Sequence, residues 1–309
     1  MSDRTTNHHF IKYFLTAGIL VFLGFLLFDY KKEFLLILDI SALQFISIAI
    51  LMFTGVYLNG SKLNKITNSF NIHLSLKEWF ALSSMTTLFN NFIYKSGSII
   101  TSKFLKSRHD FPYSAFAASF VCDQLILLFT GAITGSIISF YLGKFKEEFI
   151  FLFLILTVII IILFVLYRLQ KTLPKLQNPI LNKLRSSIQN FNSLLTNKNL
   201  LFSLVTHNIF LILTIVFRIS VASSIVHLDI PLSSCFLFTT IIIFSRIVPI
   251  TVNDIGLREL SVGFLSSILG SGLKAGVLIT SIDRLFELIW VAIFTISSQR
   301  ALTDIKNYT

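Results

Sequence analysis

Residues 79–102 read WFALSSMTTLFNNFIYKSGSIITS, an apolar run broken by Asn90-Asn91 and again by Lys95-Ser96-Gly97-Ser98. Lys62, Lys65 and Lys77 precede it; Lys103, Lys106 and Arg108 follow it. Lysine and arginine beside a membrane segment mark its cytoplasmic side. Both flanks therefore belong on one face. An upright crossing takes about 20 residues, so this segment is too short to cross twice. It is expected to dip into the membrane and return as a re-entrant hairpin. Such backbone persists at membrane depth only where protein buries it or where it lines a cavity.

The composition is that of a chain dissolved in lipid. Of 309 residues, 54% are hydrophobic and only 13% are charged, with a mean hydropathy of +0.79. Globular domains carry about 25% charged residues. A disordered chain, a nucleic-acid-binding domain and an ordinary soluble enzyme are excluded. The formal net charge of +11 is assigned to cytoplasmic loops that hold the topology, not to nucleic acid. Cys122 and Cys235 both lie in apolar runs, so no structural disulfide is expected. Arg4 to Lys12 followed by an apolar run to Phe28 resembles a signal peptide. No small-x-small site precedes Asp29-Tyr30-Lys31-Lys32-Glu33, so an uncleaved first span is expected.

Full spans are expected at about 13–28, 41–58, 113–142, 149–167, 200–226 and 273–298. With the N-terminus in the cytoplasm, the inner connectors and both ends hold sixteen lysines and arginines, against four outside. Both termini are thus expected in the cytoplasm. The basic connector 168–199 carries Pro174 and Pro179, and residues 180–195 can lie as an amphipathic helix on the membrane surface. The parity that folds 79–102 back also applies to 231–272. That segment should dip from the outer face, the alternative being two short tilted crossings.

The two interruptions share a design. Lys95-Ser96-Gly97-Ser98 precedes the half-helix 99–106, and Pro249-Ile250-Thr251-Val252-Asn253-Asp254 precedes the half-helix 255–269. Ser96 or Ser98, and Asn253 or Asp254, are suited to cap those half-helices. Both helix starts would converge near the midplane with their positive dipole ends. A helix N-terminus beside Lys95 or Arg258 is a ready anion site. The bland alternative is that these kinks merely serve helix packing.

Ten charged residues fall within the apolar segments: Lys95, Arg218, Arg246, Arg258 and Arg284 against Asp123, Asp254, Glu259, Asp283 and Glu287. On insertion scales an embedded charge costs about 2.5–3.5 kcal/mol at a helix centre. They must face one another or water. Asp283 and Glu287 share a helix face at i, i+4. The functional reading is a polar, anion-binding and proton-coupled cavity; the structural one is interhelical ion pairing. His207-Asn208 reads as a helix–helix hydrogen bond. No residue spacing suggests a metal site, a P-loop or dinucleotide fingerprint, or a serine nucleophile elbow. No cofactor is expected.

Several of these residues carry a family resemblance. Asn91-Phe92-Ile93-Tyr94-Lys95-Ser96-Gly97-Ser98, continuing through Lys103-Phe104-Leu105-Lys106 to Phe111-Pro112-Tyr113-Ser114, resembles one pattern of the flippase-like transmembrane family of lysylphosphatidylglycerol synthases. Pro249, Gly256, Arg258 and Glu259 match a second, roughly Pro-x-x-Pro-Gly-Gly-x-Gly-x-Arg-Glu, with Asp283-Arg284 further on. Val252, Asn253 and Asp254 depart from it, and Tyr94 stands where the family usually has proline. Many members are stand-alone membrane proteins, some encoded among envelope polysaccharide genes. The resemblance implies re-entrant segments. In the best-understood members it implies movement of aminoacylated phospholipid between leaflets. Those members carry a cytosolic aminoacyl-transfer domain. None is expected here, so this chain alone should not lysylate lipid.

The expected protein is an all-α polytopic membrane protein, one integral-membrane domain over 1–309. It has about six full transmembrane helices plus two inversely oriented re-entrant or broken hairpins, or eight spans if these cross. Its expected place is the bacterial cytoplasmic membrane. Its expected work is to bind or translocate an anionic lipid or lipid-linked glycan in envelope biogenesis, without catalysis. Lys95, Ser96, Gly97, Ser98, Asn253, Asp254, Gly256, Arg258, Glu259, Asp283 and Arg284 would line the head-group site. A membrane-bound glycosyl or phosphoryl transferase and a non-transporting scaffold are the alternatives. Membrane lipids are the expected partners; no nucleic acid is, and the oligomeric state is left open.

Overall fold

A computed structural model describes residues 39–93, 95–142, 158, 179–246 and 254–298. The span expected at 13–28, that at 149–167 apart from Val158, the Pro249–Asn253 stretch and the C-terminal tail lie outside the described residues. Every regular element longer than a turn among the described residues is an α-helix.

The first, α1, runs Ala42–Asn68. Ser41 and Gln44 start it reciprocally: the Ser41 N–H donates to Gln44 Oε1 at 3.0 Å, and the Gln44 N–H to Ser41 Oγ at 3.2 Å. This is the Ser-x-x-Gln capping box. α1 continues ten residues past the span expected at 41–58 and takes Lys62 and Lys65 with it. Lys62, expected as a loop charge that sets topology, is instead 3% exposed and paired with Asp123 at 3.0 Å.

The decisive segment folds as two helices, α2 (Leu76–Phe92) and α3 (Ser96–His109). Ser75 and Glu78 form a second capping box at the start of α2. α2 and α3 double back on each other. A Cβ on Gly97 would stand 2.2 Å from the Thr86 carbonyl oxygen, so only glycine lets the backbones approach this closely. The Thr86 and Thr101 hydroxyls bond across the pair. At the far end Arg108 Nε lies 3.1 Å from Glu78 Oε1, and His109 Nε2 lies 3.5 Å from it. Burial opposes the Glu78 charge, but the Ser75 hydrogen bonds and the Arg108 and His109 charges hold its carboxyl below the usual range.

α4 (Tyr113–Tyr141) packs along α5 (Pro179–Thr196). The surface helix expected at 180–195 exists, but protein takes up its apolar face. Ile188 is buried, and Phe191 and Leu194 are buried among Ala118, Cys122, Ile126, Leu200 and Leu204. α6 (Lys198–Ile225) follows, its start capped by Asn197, whose Oδ1 accepts the Leu200 N–H. α7 (Leu232–Ser245) packs on α8 (Leu257–Ile268), and α9 (Leu273–Ser298) closes the described chain.

α1, α4 and α6 are long and apolar enough to cross a membrane. α9 is of similar length but carries Asp283, Arg284 and Glu287. α3 and α7 have 14 residues each and α8 has 12. At 1.5 Å per residue these rise only about 18–21 Å, short of a bilayer core of about 30 Å. Leu43, Ile46 and Ile50 of α1 and Phe202, Phe210 and Phe217 of α6 remain exposed, as helices dissolved in lipid leave them.

The chain divides into two compact units. Described residues up to Gly55, Thr87–Ser96 and Ile212–Ser297 form one; Val56–Thr86, Gly97–Leu211 and Ser298 form the other.

Candidate functional site: a buried arginine–carboxylate cluster

Four arginines and four carboxylates collect within the first unit. Their formal charges cancel. α9 supplies Asp283, Arg284 and Glu287, one helical turn of alternating sign. Asp283 and Glu287 are 2% and 4% exposed. Arg218 of α6 holds Asp283 in bidentate fashion, Nε to Oδ1 and Nη2 to Oδ2 both at 2.8 Å, and reaches Glu287 Oε2 at 2.9 Å. Parallel N–H donors of this kind fix a carboxylate in position as well as in charge. Arg258 of α8, 1% exposed, bonds the same Asp283 Oδ2 and lies 3.4 Å from Glu287 Oε2. Arg246, just past α7, approaches Glu287 Oε1 at 3.7 Å. Together these residues make a tight lattice.

Arg284 forms a looser edge. Its Nη2 is 3.4 Å from Asp254 Oδ1, and its Nε is 3.2 Å from Glu259 Oε1 without hydrogen-bond geometry. Arg284 Nη1, Asp254 Oδ2 and Arg258 Nε are buried atoms with no hydrogen-bond partner.

A backbone device positions α8 and α9. A Cβ on Gly276 would stand 2.6 Å from the Val262 carbonyl oxygen and 2.9 Å from Gly263 Cα. The two helices therefore touch glycine to glycine. Gly276, Thr280, Asp283 and Glu287 follow one another at i, i+4, i+7 and i+11, one face of a helix. The contact that seats α9 on α8 thus aims both carboxylates.

The site residues expected from sequence divide accordingly. Asp254, Gly256, Arg258, Glu259, Asp283 and Arg284 come together. Asn253 lies outside the described residues. Lys95 is exposed at the turn between α2 and α3, in a left-handed conformation with φ 57°. Neither Ser96 nor Ser98 precedes α3 as its cap, because the helix begins at Ser96 itself. The Ser96 hydroxyl instead donates to the Phe89 carbonyl of α2 at 2.8 Å. Gly97 and Ser98 belong to the second unit, with Gly97 pressed on Thr86. Asp254 does not cap α8. The cap is Gly256 at φ 81°, a conformation open to glycine. The Gly256 N–H donates to Glu259 Oε2 at 2.8 Å. The chain's own carboxylate thus occupies the helix start expected to receive an external anion. Arg218, Arg246 and Glu287 join the cluster although they were read only as embedded charges. The signal for Glu287 was its i, i+4 relation to Asp283; Arg218 and Arg246 carried no spacing that tied them to it.

A second polar node lies in the other unit. Lys62 of α1 donates to Asp123 of α4 at 3.0 Å and to Asn208 of α6 at 2.9 Å. His207 takes the expected helix–helix bond, its Nε2 lying 3.0 Å from Ser61 Oγ. Its Nδ1 donates to the Ser203 carbonyl at 2.7 Å. Among the described residues no group of three or more histidine, cysteine or acidic side chains is placed to hold a metal ion.

A family model described as the lysylphosphatidylglycerol synthase TM region matches residues 10–294. The chain belongs to this family. In this lysylphosphatidylglycerol synthase TM region the match takes in both broken helical segments and every arginine and carboxylate of the cluster. No curated protein and no solved structure matches the chain. The family and the apolar helices make it a membrane protein with a lipid- or envelope-related role.

Proposed function

We propose that this chain binds an anionic lipid head group, or the phosphate of a lipid-linked glycan, at the arginine–carboxylate cluster and carries it between leaflets of the bacterial cytoplasmic membrane. Both termini face the cytoplasm. The two broken segments dip from opposite faces, and the protein transports without catalysing a reaction. One observation supports this most: four arginines, Arg218 and Arg258 buried, Arg284 half-buried and Arg246 exposed, gathered with their carboxylates beside the break between α7 and α8. Embedded charge is costly, and it marks substrate paths in membrane proteins. Guanidinium groups suit phosphate because their planar donors pair with two oxygens at once. Lys95, at the exposed turn of the other broken segment, would meet the head group on its way.

Proteoliposomes carrying fluorescent phosphatidylglycerol test this reading, with a membrane-impermeant quencher reporting the outer leaflet. Wild-type protein should make the inner-leaflet probe accessible. Arg284→Gln should slow it about 10–100-fold, the worth of a charged hydrogen bond of about 1.5–3 kcal/mol. Movement no faster than in empty liposomes would end the translocation reading. The bidentate Arg218–Asp283 pair favours a second reading, a scaffold held together by ion pairs. Full complementation by Arg258→Gln and Arg284→Gln variants would support that one.

A further inference from the structure

Resting on the head-group reading above, we propose that Asp254 is a built-in competitor: its carboxylate holds the Arg284 guanidinium until a phosphate anion takes its place. The cluster is already neutral, so an incoming anion gains little from its overall field. It must exchange with a carboxylate. Asp283 and Glu287 are poor candidates, since Arg218 grips both at 2.8–2.9 Å and Arg258 adds further contacts. Glu259 is tied to the start of α8 through the Gly256 N–H. Asp254 has no such bonds. Its Oδ1 stands 3.4 Å from Arg284 Nη2, and its Oδ2 meets no donor. On the other side, Arg284 Nη1 meets no acceptor and Nε is misaligned with Glu259. The arginine with unfilled donors is thus paired with the carboxylate held least. A phosphate, with more acceptor oxygens than a carboxylate, fills donors that Asp254 leaves empty.

Asp254 also sits at φ 48°. Aspartate and asparagine are among the few non-glycine residues that tolerate this region. Asp254→Asn therefore removes the charge while keeping the shape and the backbone preference, and Asp254→Glu keeps the charge.

The test measures binding of short-chain phosphatidylglycerol and of inorganic phosphate to the full chain in neutral detergent. Size-exclusion profiles check each variant's fold. Asp254→Asn should bind at least about fivefold tighter than wild type, within the usual range of coupling between sites. Asp254→Glu should stay near wild type, and Arg284→Gln should lose binding. Tightening with the lipid alone identifies a head group as the competitor's target; tightening with both probes identifies phosphate in general. Unchanged or weaker binding by Asp254→Asn overturns the exchange, and if Arg284→Gln still loses binding the head-group reading survives. If wild type binds neither probe, both fall.

Discussion

Arg218 and Gly97 show how much single side chains carry here. Removing one partner of a buried ion pair leaves the other charge stranded, at a cost of about 3–5 kcal/mol. Arg218→Ala removes the bidentate partner of Asp283 and the best-placed partner of Glu287, leaving both carboxylates to Arg258 and, for Glu287, the more distant Arg246. It should lower the thermal midpoint in detergent sharply and by more than Arg246→Ala, whose pair is 3.7 Å apart and 39% exposed on the arginine side. Replacing Arg218 and Asp283 together by methionine and leucine should recover part of the loss, which thermal unfolding of the double variant measures. Gly97→Ala should disrupt the α2–α3 hairpin, because its Cβ would meet Thr86 backbone atoms at 2.2–2.8 Å. Limited proteolysis within residues 86–101 should accelerate. Gly97 stood out in sequence as part of a helix start for anions; its neighbour in space, Thr86, gave no hint of a backbone contact. The embedded charges, by contrast, announced themselves through cost alone. That they pair was one of two readings; which charge meets which was not legible, because Arg218 and Asp283 are 65 residues apart in sequence and the partner of a buried charge is set by helix packing.

At the scale of the element, α1 starts where its span was expected, beside Ser41, and the chain breaks where Lys95-Ser96-Gly97-Ser98 suggested, whereas the caps named for α3 and α8 were misplaced. The far end of α1 was misread because Lys62 and Lys65 look like loop charges. Only the fold supplies Asp123, which lets Lys62 stay in a helix. The cap of α8 was misplaced for a similar reason: Asn253 and Asp254 are good capping types, but Glu259 reaches back to Gly256. Two predictions belong here. Gly276→Leu should separate α8 from α9 and lower stability by about 1–3 kcal/mol, the usual cost of overpacking, seen as a lower thermal midpoint. The Glu78 carboxyl is held below its ordinary range, so its stabilising charge is complete at neutral pH. It is lost as pH falls through the depressed folded value. Wild type should therefore lose more stability on acidification than Glu78→Gln, measured as midpoint against pH below about 5.

At the scale of the whole molecule, composition and basic-residue parity sufficed for an all-helical membrane chain with broken segments, and the family match over residues 10–294 agrees. The helices of both broken segments have 12 to 17 residues, shorter than an upright crossing needs. The count of basic residues predicts which face each segment enters from, and labelling from each side reads it out. If the broken segments open a wet, charged path from opposite faces, thiols placed at the breaks meet water from opposite sides. The most direct test is thiol accessibility in a Cys122→Ser, Cys235→Ser background, since both native cysteines are buried and free. Lys95→Cys replaces an exposed residue and spares the tight contact at Gly97; Asn253→Cys probes the second break. Membrane-impermeant reagents should label position 95 from the cytoplasm and position 253 from outside. Labelling of neither position would contradict such a path and leave the cluster as packed ion pairs.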